Sequence, residues 1–234
     1  MSAIILFMAA IAAIAGWWLS QQRLAAKPWL EEGVIADWRE ESPSSLPPAK
    51  IGLGVFLAVV GSLFALFISA YSMRMNMVDW RALPVPGLLW FNTGVLVTSS
   101  IALQWAHMAA RRNDMDGVII CLCAGGASAL VFLVGQLLAW RQLSLAGYFV
   151  ASNPANSFFY LITAVHGLHL MGGLVALGKT TAKVWRGAAM TEVRLSVELC
   201  AIYWHFLLLV WLVLLGLLTG WTDGIVDICR QLLS

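Results

Sequence analysis

Charge is what this 234-residue sequence has least of: 11% of its residues are Asp, Glu, Lys or Arg, where an average soluble domain carries about 25%. Together with 61% hydrophobic residues, the shortage excludes an ordinary soluble enzyme and a disordered chain. The few charges are also segregated. Residues 2–20, 51–73, 86–109, 117–140, 156–178 and 199–222 contain none. A helix needs about 20 apolar residues to cross a hydrocarbon core of about 30 Å, and each window meets or approaches that length. Transmembrane β-strands would alternate in hydrophobicity over roughly 10 residues, which a run such as 201–221 does not do. The sequence therefore predicts an all-α integral membrane protein with six transmembrane helices. These divide into an N-terminal helix (1–20), a linker (21–50), a five-helix bundle (51–222) and a short tail (223–234).

Other absences narrow the chemistry. Proline does not interrupt the middle of any window: Pro28, Pro43, Pro47, Pro48, Pro84 and Pro154 are assigned to loops, and Pro86 to the first turn of a helix, where its missing N–H costs nothing. The proline-broken helices that mark many transporter sites are thus not evident. Gly125-Gly126 and Gly172-Gly173 are read as packing surfaces, because small residues let helices approach closely in lipid. The same reading makes Gly94, Thr98, Ala102 and Ala106, four residues apart in succession, a stripe that meets another helix. The four cysteines form no disulfide framework; Cys121 and Cys123, two apart on a helix, point in different directions and read as buried packing thiols. No phosphate-binding glycine loop, nucleophile elbow or internal repeat occurs. Every carboxylate lies outside the windows, and Gln104 and Gln136 are too few polar groups for a proton or ion path.

A net charge of +2 argues for no nucleic-acid partner, but the positions of the positive residues carry topology. Ten of the fourteen Lys and Arg residues fall in 21–50, 110–116 and 179–198. Placing those segments in the cytoplasm puts both termini outside. The first window has no basic residue before it and ends in Trp17-Trp18 and Ser20-Gln21-Gln22, which fits a retained helix better than a cleaved signal peptide.

All four histidines fall within windows, at His107, His166, His169 and His205. Ionisable groups inside a bilayer are by default functional candidates, and His166 and His169 share one helix face. Two readings stand. The imidazoles either bond neighbouring helices and lipid headgroups, or they ligate haem or a metal; the absence of membrane carboxylates removes the usual supporting shell for the second.

Three segments together resemble subunit III of the haem–copper oxidases. They are Phe91-Asn92-Thr93 leading to Gln104-Trp105-Ala106-His107; then Ser157-Phe158-Phe159-Tyr160 leading to His166-Gly167-Leu168-His169; then Glu198 with Tyr203-Trp204-His205-Phe206 and Trp211. The order matches over about 51–222, as does the spacing from Glu198 to His205. Departures point to a divergent bacterial branch. The family's membrane glutamate corresponds to Val60, its second histidine after Trp-Ala-His to Met108, and its aspartate after Trp-His-Phe to Leu208.

The resemblance implies an accessory subunit of cytochrome c oxidase in the bacterial cytoplasmic membrane. It would be free of cofactors and of a catalytic site, packed on the haem–copper subunit I and other oxidase subunits. It would also bind phospholipid, support proton uptake and protect turnover. On that view Trp105, His107, His166, His169, Glu198, Tyr203, Trp204, His205 and Trp211 serve structure, lipid or subunit contact. A subunit-III-like protein of a quinol oxidase or nitric oxide reductase, a membrane cytochrome, and a small transporter remain the alternatives.

Overall fold

The structure, a computed structural model, describes residues 47–220. The N-terminal window 2–20, most of the linker and the tail lie outside the described residues. Within them the chain forms five helices: α1 (Pro48–Arg74), α2 (Leu88–Arg111), α3 (Met115–Leu145), α4 (Pro154–Trp185) and α5 (Met190–Leu218), with a 3-10 turn (Val150–Ser152) before α4. The five-helix bundle expected from the windows is therefore present. The helices exceed the charge-free windows at several ends. At 1.5 Å per residue the 31 residues of α3 extend about 46 Å, which reaches through the headgroup regions as well as the apolar core. Arg141, Lys179, Lys183, Glu192, Arg194 and Glu198 are thus helical rather than loop residues.

Proline placement differs from expectation, although the physics is the same. Pro48 and Pro154 open α1 and α4, where no N–H is needed, whereas Pro86 precedes α2, which starts at Leu88. The helix beginning at Pro48 takes Lys50 out of the linker and into α1.

Short, specific turns join the helices. Between α2 and α3, Asn113 adopts φ 61° and Asp114 accepts from Gly117 N–H at 3.0 Å, capping α3. Gly147 and Gly187 have φ of 87° and 72°. Each lies just past a helix end, with the next residue's N–H returning to the helix: Tyr148 to the Leu143 carbonyl at 3.0 Å and Ala188 to the Lys183 carbonyl at 3.2 Å. Left-handed backbone is required there, and glycine supplies it without strain. Asn153 caps α4 through Ala155 N–H and donates through Nδ2 to the Arg81 carbonyl in the α1–α2 loop.

α2 packs along α3 and α5, while α1 packs chiefly on α5 and α4. The main core contains Leu96, Leu103, Phe132, Phe159, Trp204 and Trp211, and a second cluster joins Val60 and Phe64 of α1 to Ile162, Val210 and Leu214. Four helices, α1, α3, α4 and α5, are long and apolar enough to cross a membrane. The six-helix count is not reached among the described residues. α2 is less apolar, because Asn92, Ser99, Ser100, Gln104 and His107 lie along it. The outward face of α3, with Ile120, Leu130, Val134 and Leu137 exposed, is apolar as a lipid-facing surface is.

The small-residue stripe is corrected by the packing. Ala102 and Ala106 are buried, but Gly94 and Thr98 are exposed, because the buried face of α2 runs through Leu89, Asn92, Leu96, Ser99 and Leu103. Of the two glycine pairs read as packing surfaces, Gly125, Gly126 and Gly173 do admit neighbours closely. A Cβ on Gly173 would fall 2.7 Å from Tyr203 and 2.9 Å from Trp204, whereas one on Gly172 meets nothing within 4 Å. The cysteine expectation also needs correction: Cys123 is exposed and Cys121 half-buried, with Cys200 alone buried among the described three.

Candidate functional site

The α2–α5 interface carries a ladder of polar contacts, built because two tryptophans and a histidine of α5 recur on the side that faces α2. Trp211 Nε1 donates to Thr93 Oγ1 at 2.9 Å. Trp204 Nε1 donates to Ser99 Oγ at 2.9 Å, and that hydroxyl donates onward to the Gly125 carbonyl of α3 at 2.7 Å. His205 completes the series. Its Nε2 lies 3.0 Å from Gln104 Oε1 and its Nδ1 2.5 Å from Ser100 Oγ. An amide oxygen only accepts, so Nε2 carries the proton and Nδ1 accepts from the Ser100 hydroxyl. Both ring nitrogens are then engaged, leaving no lone pair for a metal or haem iron. From Thr93 to Gln104 the ladder spans about 17 Å of helix, so polar groups are more numerous at depth than Gln104 and Gln136 alone suggested.

The other histidines have separate environments. His169 donates from Nδ1 to the Val165 carbonyl at 2.8 Å, its own carbonyl accepts from Tyr203 OH at 2.8 Å, and its ring lies 5.5 Å from Phe64. His166 is fully buried against Trp211, Phe132 and Phe64, with centroid distances of 5.1, 5.8 and 6.3 Å. His107 is half-buried near the end of α2, its Nδ1 without a protein partner. Among the described residues no group of three or more His, Cys, Asp or Glu is placed to hold a metal ion.

Glu198 accepts from Lys50 Nζ at 2.6 Å, with side chains 32% and 27% exposed; the pair ties the start of α1 to α5. Trp105 is 58% exposed on the outer face of α2. A groove of about 610 Å³ lies between α1, α4 and α5, lined by Leu53, Phe56, Leu168, His169, Met171 and Tyr203 among others. Its walls are almost wholly apolar, and it opens to the outside of the bundle.

Residues 53–223 match the family described as cytochrome c oxidase subunit III. This chain belongs to the cytochrome c oxidase subunit III family. It is 29% identical over 179 residues to cytochrome c oxidase subunit 3 of Thermostichus vulcanus, covering 72% of this chain and 85% of that protein. It is 30% identical over 175 residues to the Synechocystis protein of the same name, covering 70% and 71%. It is 31% identical over 135 residues to a probable cytochrome c oxidase subunit 3 of Mycobacterium tuberculosis, covering 58% and 63%. With its apolar helices, the chain is a membrane protein of that family.

Within subunit III, the ladder gives the quoted motifs a shared geometry. Thr93 and Gln104 from the motifs, with Ser99 and Ser100 between them, supply one side, and Trp204, His205 and Trp211 supply the other. Val60, where the resemblance puts a glutamate, is 3% exposed in the apolar cluster between α1, α4 and α5, so this chain fills that position with a packed apolar side chain. Sequence reasoning missed Ser99, Ser100, Asn92 and Thr163 as buried polar residues. It also counted Arg194 only as a cytoplasmic charge. Arg194 instead reaches across to the end of α2, donating to the Ala110 carbonyl at 3.0 Å, the Arg111 carbonyl at 3.2 Å and Asn113 Oδ1 at 3.0 Å. It thereby satisfies the open carbonyls that any helix end leaves.

Proposed function

We propose that this chain is the accessory subunit III of a bacterial cytochrome c oxidase, carrying no redox centre and stabilising the haem–copper subunit I during aerobic electron transport. The observation that carries the reading is the family match over 53–223, which takes in nearly the whole described bundle. The histidines support it, since His205 has both nitrogens committed to α2 and His166 sits inside an aromatic enclosure. Haem and copper belong to the partner subunits. Exposed Trp105 and the apolar outer faces of α2 and α3 provide surface for subunit and lipid contact.

The apolar groove between α1, α4 and α5 accepts a phospholipid acyl chain, with the Lys50–Glu198 pair one turn from Leu53 at its α1 wall. The chain supports proton uptake by stabilising subunit I rather than by conducting protons, in keeping with apolar Val60. It resides in the bacterial cytoplasmic membrane with six spans, α2 among them, and both termini extracytoplasmic. The three-residue turn between α2 and α3 supports α2 as a span, because two long helices joined so tightly and packed along each other run antiparallel through the same depth.

Purification of the tagged chain from native membranes tests this. A large subunit bearing haem and copper is expected to accompany it, and deleting the chain is expected to leave those metals in place while sustained turnover declines. Immediate loss of electron transfer with the metals intact would refute the accessory role.

A further inference from the structure

Three buried side chains in one cross-section of the bundle have no protein hydrogen-bond partner: Asn92 of α2 on both amide atoms, Gln136 of α3 on both amide atoms, and His166 of α4 on both ring nitrogens. They are 0%, 4% and 0% exposed. Their neighbours place them together. Asn92 packs so closely on Gly135 that a Cβ there would overlap its amide, and Gln136 is the next residue. One turn to either side of Gln136, Phe132 packs edge-on to His166 at 5.8 Å and Trp140 Nε1 donates to Thr163 Oγ1 at 3.1 Å. Thr163 lies three residues before His166 on the same face of α4. Trp211 closes the layer, 5.1 Å from His166 and bonded to Thr93 beside Asn92.

The other polar groups of the layer are already engaged. Thr93 Oγ1 donates to the Leu89 carbonyl at 2.8 Å while accepting from Trp211. Thr163 Oγ1 donates to the Phe159 carbonyl at 2.6 Å while accepting from Trp140. In a bilayer no solvent outside the bundle can supply the missing partners, so leaving these groups unpaired is costly. Two primary amides and a neutral imidazole offer donors and acceptors in equal number. Such a set fits a neutral ligand that both donates and accepts. It does not fit a cation, because the nearest carboxylates along these helices are remote: Asp116 is 20 residues from Gln136, about 30 Å of helix.

We propose that this layer is a water-binding site, in which ordered water bridges Asn92, Gln136 and His166 and fixes the register of α2, α3 and α4. Buried waters with about three hydrogen bonds each are a regular element of protein interiors. The proposal is independent of which complex the chain serves.

The test is a density map at about 2 Å resolution of the full chain in its purified membrane complex. Density within hydrogen-bond reach of at least two of the three side chains is expected. Direct bonds between the Asn92 and Gln136 amides, with no density beside His166, would overturn the site. A variant series gives a second readout on the same complex. Each of Asn92→Leu, Gln136→Leu and His166→Phe strands the remaining groups, and is expected to lower the folded-to-unfolded ratio of the chain roughly 5- to 30-fold. The triple variant, which leaves no orphan, is expected to recover most of that loss. Three losses that simply add in the triple variant would contradict shared water.

Discussion

Replacing Gly173 by alanine isolates the α4–α5 contact, because its neighbour provides an internal control. The added Cβ would stand 2.7 Å from Tyr203 Cε1, 2.9 Å from Trp204 Cζ3 and 3.1 Å from Trp204 Cη2. Neither ring is free to retreat. Trp204 is fully buried and held by its bond to Ser99, and Tyr203 is held by the His169 carbonyl. Overpacking of this kind costs about 1–3 kcal/mol, and a displaced hydrogen bond adds about 1 kcal/mol. The better helix propensity of alanine offsets about 1 kcal/mol, which leaves a net loss of roughly 1–3 kcal/mol. At about 2–4 °C per kcal/mol for a chain of this size, the thermal midpoint falls by roughly 2–12 °C.

Gly172→Ala, which meets nothing within 4 Å, keeps the propensity gain alone and is expected to hold or raise the midpoint slightly. Fluorescence-detected gel filtration of the heated complex, or tryptophan emission during a thermal ramp, measures both. The reasoning fails if Gly173→Ala melts at or above the wild type, or if Gly172→Ala falls as far.

Three further outcomes follow from named contacts. Arg194→Met removes the donors to Ala110, Arg111 and Asn113 and is expected to cost about 1–3 kcal/mol, seen as faster proteolysis at the α2–α3 turn; unchanged cleavage would show that water caps α2 equally well. His205→Phe breaks the bonds to Ser100 and Gln104 and is expected to reduce retention of the chain in its complex with the haem spectrum unaltered; a lost haem band in an assembled complex would contradict the structural role. In the α1–α2 loop, the bidentate bond from Arg74 holds the Asp79 carboxyl below its ordinary range. That contribution is therefore present above the ordinary aspartate range and is lost as pH falls through the depressed value. Asp79→Asn is expected to abolish the acid limb of loop protection in a proteolysis-against-pH series, and persistence of that limb would assign it elsewhere.

How much was legible in the sequence varies with the kind of contact. The apolar windows anticipated all five described helices, and the charged segments 110–116 and 179–198 contain the joints observed at 112–114 and 186–189. Family membership was also legible, because Trp-Ala-His, His-Gly-Leu-His and Tyr-Trp-His-Phe occur in order at the required separations. Positions inside the bundle were less so. Gly94 and Thr98 matched a packing stripe by spacing yet face outward, Gly135, with no distinguishing pattern, admits Asn92, and of the Gly172-Gly173 pair read as a packing surface only Gly173 admits the α5 aromatics. Arg194 obeyed the charge rule for loops and still proved to be a cap reaching another helix.

The sequence by itself determined that the chain makes long apolar helices, in what order they follow and which family they belong to, since these depend on local composition and on short motifs. Only the tertiary structure decided which side of each helix faces inward, and hence that His205 meets Ser100 and Gln104, that Val60 is packed, and that Asn92, Gln136 and His166 share a layer. The physical reason is the solvent. In water, a helix betrays its buried side by contrast between apolar and polar faces. In lipid, the tails are as apolar as the core, so that contrast disappears and inward facing is set by close packing and interhelical hydrogen bonds, which form only when the helices are assembled.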